Sequence, residues 1–72
     1  MRTYFIYARI NGQLEVYTEY DRNVKDAIQH VRNDCVGSHI EILKICSKVG
    51  GKLKELKSYV GKKYYTKKVE GF

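Results

Sequence analysis

The chain lacks proline and tryptophan, and it has only two cysteines among its 72 residues. So few cysteines cannot form a disulfide scaffold and are typical of a reducing compartment. The longest apolar run, residues 4–8, is far below the ~18 residues that indicate a membrane span. No charged start leads into an apolar core, so we expect no secretory signal. These absences predict a cytoplasmic protein that does not contact a membrane.

A hydrophobic fraction of 43% argues against full disorder, and 72 residues suffice for one small domain. No internal repeat or low-complexity block divides the chain. We therefore predict a single domain over 1–72, with a folding core over 3–49 and a lysine-rich C-terminal element over 50–72.

Charge is unevenly distributed along the chain. Residues 1–43 carry five basic and six acidic side chains, whereas residues 44–72 carry nine lysines and two acids. This asymmetry indicates a nearly neutral core followed by a basic segment suited to polyanions. Lysine binds phosphate as a point charge, so such a segment would contact a nucleic-acid backbone without reading its sequence. The alternative is a lysine-rich surface that only maintains solubility.

Two segments rich in aromatic and β-branched residues, Thr3–Arg9 and Leu14–Tyr20, flank Asn11-Gly12, a strong hairpin signal. A two-residue loop would place the apolar residues of the two strands on opposite faces. A three-residue loop over 10–12 would pair Ile6 with Val16 on one buried face, and we predict that register from the expected burial.

The predicted register leaves an aromatic face made of Phe5, Tyr7 and Tyr17 on the other side of the hairpin. These rings could stack across the strands, could be covered by the C-terminal segment, or could form a stacking platform for bases, as in sheet-based RNA readers.

A helix should follow, because Asn23 can cap it by accepting the amide of Asp26. Apolar residues recur at helical spacing and should pack on the hairpin: Val24, Ala27, Ile28, Val31 and Cys35. The opposite side of the helix is typical of an ordinary solvated face and carries Lys25, Gln29, Arg32 and Asn33. Gly37 is a plausible left-handed terminator.

Ile40 to Val49 predicts a third strand, whose imperfect alternation indicates a bulge near Leu43-Lys44 or burial on both faces. After Gly50-Gly51 we favour a short amphipathic helix over 52–60, with a returning strand as the alternative. The predicted fold class is a small α+β domain, ββαβ, with a basic C-terminal helix or extra strands.

The residues His30, Cys35, His39 and Cys46 have no zinc-finger spacing, so we predict no metal site and interpret both cysteines as small buried hydrophobes. Gly50-Gly51-Lys52 lacks the rest of a phosphate-binding loop. Neither cysteine has a residue near it in the sequence that would activate its thiol as a nucleophile. A chain this short also has little room for a catalytic pocket. We expect no enzymatic activity and no cofactor.

The basic and aromatic C-terminal element remains the strongest functional feature. Lysines that neutralise phosphates beside tyrosines that stack on bases would suit nucleic acid. The predicted nucleic-acid-binding residues are Lys52, Lys54, Lys57, Lys62, Lys63, Tyr64, Tyr65, Lys67 and Lys68.

The order of elements, together with Lys25-Asp26-Ala27, the turn Val36-Gly37-Ser38-His39 and the strand Ile40–Ile45, resembles the archaeal ribosomal protein LX family over roughly residues 4–49. The resemblance implies a small β-β-α-β module bound to large-subunit ribosomal RNA. Glu15, Glu19 and Asp21 depart from the basic hairpin expected there, and the lysine-rich extension has no counterpart, so no RNA-contacting residue is transferred.

The leading hypothesis is therefore a non-enzymatic nucleic-acid-binding or ribonucleoprotein accessory module, with RNA preferred over DNA. The alternative is a small adaptor or inhibitor, such as mobile elements encode, that occupies the surface of an acidic partner protein with tyrosine anchors. A homodimer is a further alternative, because an aromatic face and an unpaired strand edge both favour self-association.

Overall fold

Two long strands, β1 (Arg2–Ile10) and β2 (Gln13–Asp21), open the chain in the computed structural model, which describes residues 1–68. The last four residues of the predicted C-terminal element, 69–72, lie outside the described residues. Only Asn11 and Gly12 separate the strands, and their φ angles are 50° and 85°. Two consecutive positive φ angles match a type I′ turn, whose twist suits an antiparallel hairpin.

The hairpin register differs from the predicted one, and the prediction of a three-residue loop is wrong. Ile6 pairs with Tyr17, and Tyr7 pairs with Val16. Since side chains alternate between faces, Val16 and Leu14 lie on the face opposite Ile6. Leu14 is 66% exposed and Val16 is 52% exposed. The Asn-Gly turn, rather than burial of every apolar side chain, has determined the register.

The helix α1 (Val24–Asp34) follows, and its start is the predicted one. The Asn23 side chain accepts a hydrogen bond of 2.9 Å from the Asp26 amide. Gly37 has a φ of 85°, which fits its predicted left-handed conformation after the helix. The helix packs on one face of the sheet around a buried cluster of Tyr4, Ile6, Ala8, Ala27, Ile28, Val31, Cys35, Ile40, Ile42 and Ile45.

The third strand, β3 (His39–Val49), pairs antiparallel with β1 and contains a bulge at the predicted place. Tyr7 pairs with Lys44 and Ala8 pairs with Ile42, which leaves Leu43 as the extra residue. The extra residue changes the side-chain parity, so Ile42 and Ile45 both face the helix and are both fully buried.

The chain then returns along β3 as β4 (Lys52–Glu55), a short 3₁₀ helix (Lys57–Tyr59) and β5 (Lys63–Tyr65). The predicted helix over 52–60 is therefore wrong. Hydrogen bonding to β3 explains the difference, because the Leu56 amide donates to the Ile45 carbonyl and the Gly61 amide donates to the Ile42 carbonyl, both at 2.8 Å. An α-helix would leave those carbonyls without these partners.

The sheet order is β2-β1-β3-β4, with β5 paired to the other end of β3, and every pairing is antiparallel. Over residues 1–68, one α-helix and a five-stranded antiparallel sheet confirm the α+β class. The helix lies on one side of the sheet, which we call the helix side. The opposite side, which we call the open face, carries Phe5 and Tyr7.

Candidate nucleic-acid interface

The predicted lysines are all exposed, but strand alternation separates them into several groups. On β5, Lys63 and Tyr65 point to the open face, while Tyr64 points to the helix side, as its pairing with the buried Ile40 requires. Lys52 and Lys54 lie on the helix side of β4, at the edge of the sheet. The other predicted lysines are Lys57 in the 3₁₀ helix, Lys62 before β5, and Lys67 and Lys68 after it.

One group forms a cleft between α1 and the C-terminal segment, which we call the cation–tyrosine cleft. Its volume is about 240 Å³. Lys25 and Arg32 reach it from the helix, and Lys62, Tyr59 and Tyr64 reach it from the returning chain. Lys25 and Arg32 are seven residues apart, so two helical turns bring them to the same face. Three positive charges from two separate elements therefore meet at one concave site.

Tyrosine rings hold two of these cations in place. The guanidinium carbon of Arg32 lies 5.0 Å from the centroid of the Tyr64 ring, and Lys62 Nζ lies 5.2 Å from the centroid of the Tyr59 ring. Both distances suit cation–π attraction. Tyr59 and Tyr64 in turn pack against the buried cluster. The cations are thus held in position by rings that are themselves supported by the core.

The charges of this cleft are not neutralised within the described residues. No acidic side chain lines the cleft, and Lys25, Arg32 and Lys62 form no ion pair with any residue of 1–68. Three cations that share one concave surface without an acidic partner attract an anion more strongly than the same charges dispersed. The cleft is therefore suited to an anion such as phosphate.

A second cleft, about 280 Å³ in volume, lies across β5 and is less favourable for an anion. Arg9 and Lys63 line it, but Glu41 does too, and Arg9 Nη1 lies 2.6 Å from Glu41 Oε1. Tyr65 is half exposed and stacks on His39, with 4.5 Å between ring centroids. This side offers an aromatic surface to a base, with less net positive charge.

The predicted aromatic face exists only in part. Phe5 and Tyr7 share the open face, where Lys44 Nζ lies 6.0 Å from the Tyr7 ring centroid. Tyr17 lies instead on the helix side, because the hairpin register differs from the predicted one. Its hydroxyl is 3.1 Å from Cys35 Sγ, and this hydrogen bond, with burial, raises the pKa of Tyr17 to about 12.

The histidines and cysteines do not assemble the set considered for zinc. Cys35 and Cys46 are both buried, as predicted. His30 approaches carboxylates instead: its Nδ1 lies 3.0 Å from Asp21 Oδ2, and ligand atoms of Glu19, Asp21 and His30 lie within 4.8 Å of one another. Burial raises the pKa of Glu19, while His30 opposes that shift. His30 thus gives the buried Asp21 carboxylate a hydrogen-bond partner.

Lys25 and Arg32 line the cleft but stand outside the predicted site, because the sequence predicts an ordinary solvated helix face for them. Their seven-residue spacing was visible in the sequence, but the tyrosines that approach them were not. Comparison with protein-family models, curated proteins and solved structures found no match. The resemblance to the LX family thus finds no support there. Within residues 1–68, no helix is long and apolar enough to cross a membrane.

Proposed function

We propose that this protein is a non-enzymatic nucleic-acid-binding module, with RNA preferred, and that the cation–tyrosine cleft is its main phosphate-binding site. The observation that carries the proposal is the convergence of Lys25, Arg32 and Lys62 without an acidic neighbour in the cleft. Three unneutralised cations attract a polyanion most strongly when they share one concave surface.

Bases would be held on the neighbouring rings. A nucleic-acid strand with a phosphate in the cleft would reach Tyr65 by continuing around the outer edge of β5. Tyr65 lies on the open face there, with half of its surface exposed. Base–aromatic stacking contributes about 1–3 kcal/mol per base and tolerates any sequence. Lys67 and Lys68, which follow β5 and are exposed, extend the positive surface. Single-stranded nucleic acid is favoured, since its bases are free to stack.

The acidic residues of the hairpin do not oppose this mode. Glu15 and Glu19 lie on β2, at the edge of the sheet farthest from β4 and β5. Neither carboxylate lines the cation–tyrosine cleft. The acidic residues of the hairpin therefore do not pair directly with the cations of the cleft.

The test is a fluorescence-anisotropy titration with labelled RNA and DNA oligonucleotides of ~12 nucleotides, within the range of known single-strand binding sites. Salt should be varied from about 50 mM to about 200 mM. Three phosphates held on a single strand predict a slope of about −2 for log affinity against log salt. Absence of binding at about 50 mM salt would defeat the proposal, because electrostatic affinity is greatest there.

A pair of double variants locates the site. Lys25→Gln with Lys62→Gln removes two cations from the cleft and should weaken binding by about tenfold while reducing the salt slope by about 1.4. Lys44→Gln with Lys48→Gln removes the same charge from the open face and serves as the control. Equal weakening by both pairs would mean that only net charge matters, and greater weakening by the control pair would move the site to the open face.

A second function is favoured by the apolar side chains of the open face. Leu14, Val16 and Tyr20 share the open face of β2 and are each more than 50% exposed, as a surface for a partner protein would require. A pull-down from lysate after nuclease treatment separates the two functions. A stoichiometric partner that survives nuclease and is lost in Leu14→Ser with Tyr20→Ser would favour the adaptor function.

A further inference from the structure

The strand β2 forms a long edge of the sheet, and it lacks three of the features that usually protect an edge. Within residues 1–68 it pairs only with β1, over nine residues in uninterrupted register. It contains no lysine, proline or bulge, which are common means of preventing edge-to-edge pairing. Its Leu14 and Val16 side chains are largely exposed on the open face. Such an edge is a template for another strand.

The two outer edges of the sheet have opposite charges. β2 carries three acids, Glu15, Glu19 and Asp21, and no basic residue. At the other end of the strand order, β4 carries Lys52 and Lys54 and one acid, Glu55. The acids of β2 and the two lysines of β4 all lie on the helix side.

The directions of the strands allow these edges to meet. All pairings along the order β2-β1-β3-β4 are antiparallel, so β4 runs opposite to β2. A second copy placed beside the first in the same orientation would therefore bring its β4 antiparallel to β2. The sheet would continue across the contact with every helix on the same side.

Side-chain rows also match in this arrangement. With Lys54 of one copy opposite Glu15 of the other, Lys52 would lie opposite Tyr17 and diagonal to Glu19 on the helix side. On the open face, Leu53, which is 64% exposed, would lie in the row of Leu14 and Val16. Opposite charges and apolar pairs on adjacent strands each contribute about 0.2–1 kcal/mol.

We propose that copies of this chain associate head to tail by pairing β4 of one copy with β2 of the next. A twofold β2–β2 contact is disfavoured, because an antiparallel pairing centred on Tyr17 would place Glu15 opposite Glu19 in both halves. A head-to-tail contact leaves a free edge at each end of the assembly, so it produces a series of oligomers and not a closed dimer. Salt should weaken it, because the contact includes exposed ion pairs.

The test is sedimentation velocity on protein that has been treated with nuclease. The ratio of nucleic-acid absorbance to protein absorbance confirms that the nucleic acid has been removed. This keeps the result independent of nucleic-acid binding. At about 50 mM salt the mean mass should rise with protein concentration beyond that of a dimer, and salt near 1 M, where charges are screened within about 3 Å, should reverse the rise.

Charge reversal makes the test specific. Glu15→Lys and Lys54→Glu should each weaken association by about tenfold, and mixing the two variants should restore it, since each then supplies the complement of the other. Lys44→Glu changes an exposed lysine of the central strand β3 by the same charge as Lys54→Glu and should leave association unchanged. A monomer at every concentration, a mass that stops at the dimer, or a mixture that stays monomeric would each overturn the proposal.

Discussion

Replacing Leu14 and Val16 together by threonine distinguishes the observed hairpin register from the one that burial alone would select. In the structure, Leu14 is 66% exposed and Val16 is 52% exposed, both on the open face. In the alternative register both side chains would face α1. Threonine retains β propensity, so the double variant changes hydrophobicity while leaving the preference for strand structure nearly the same.

The expected loss in the free energy of unfolding is about 1 kcal/mol, because surface substitutions usually change stability by about 0.5 kcal/mol each. If both side chains were buried, each would lose about 1.5–3 kcal/mol of transfer free energy and bring an unsatisfied hydroxyl into the core. The loss would then reach about 5 kcal/mol, which is comparable with the whole stability of a small domain.

Urea unfolding followed by far-ultraviolet circular dichroism measures the difference. Ile6→Thr is the matched control, since Ile6 is fully buried and its replacement should cost about 3 kcal/mol. A double variant that loses more than about 3 kcal/mol, or that fails to fold while Ile6→Thr still folds, would refute the observed register and the reasoning from it.

Three further predictions concern the turn, the helix cap and a tyrosine. Gly12→Ala should lower the free energy of unfolding, measured in urea, by about 1–2 kcal/mol, because Gly12 has a φ of 85°. An unchanged free energy of unfolding would contradict the type I′ turn. Asn23→Ala should lower the free energy of unfolding by about 1 kcal/mol and Asn23→Asp by less, since aspartate still accepts the Asp26 amide; equal losses would argue against the cap. The pKa of Tyr17 is raised from 10.0 to about 12, so its contribution to stability is complete below pH 10 and is lost as the pH rises through 12. Tyr17→Phe should flatten that alkaline decline and remove the last phenolate absorbance change in a titration, and an unchanged curve would show that the Tyr17–Cys35 hydrogen bond does not form.

Local signals in the sequence predicted the elements whose formation depends on neighbouring residues. Asn23 and Asp26 determine where the helix starts, because the cap is a contact across three residues. The change of apolar parity along residues 40–49 predicted the bulge now seen at Leu43. In both cases the physical cause lies within a few residues, so a single sequence is sufficient.

The cation–tyrosine cleft could be predicted only in part. Lys62 and Tyr64 belong to the predicted site, whereas the sequence predicts a solvated helix face for Arg32. The ring that Arg32 contacts, Tyr64, lies 32 positions away along the chain. Helical spacing shows which residues share a face, but it does not show what that face approaches. That information depends on the path of the returning chain along β3.

By itself, the sequence determined the α+β class, the helix and its cap, the bulge, the buried cysteines and the excess of lysine after residue 43. The tertiary structure decided the hairpin register, the extended return along β3 and the separation of the lysines onto different surfaces. The physical reason is that propensity, capping and periodicity act over a few residues. Strand pairing, in contrast, is chosen by hydrogen bonds and packing between segments distant in the chain, which together outweigh any local preference.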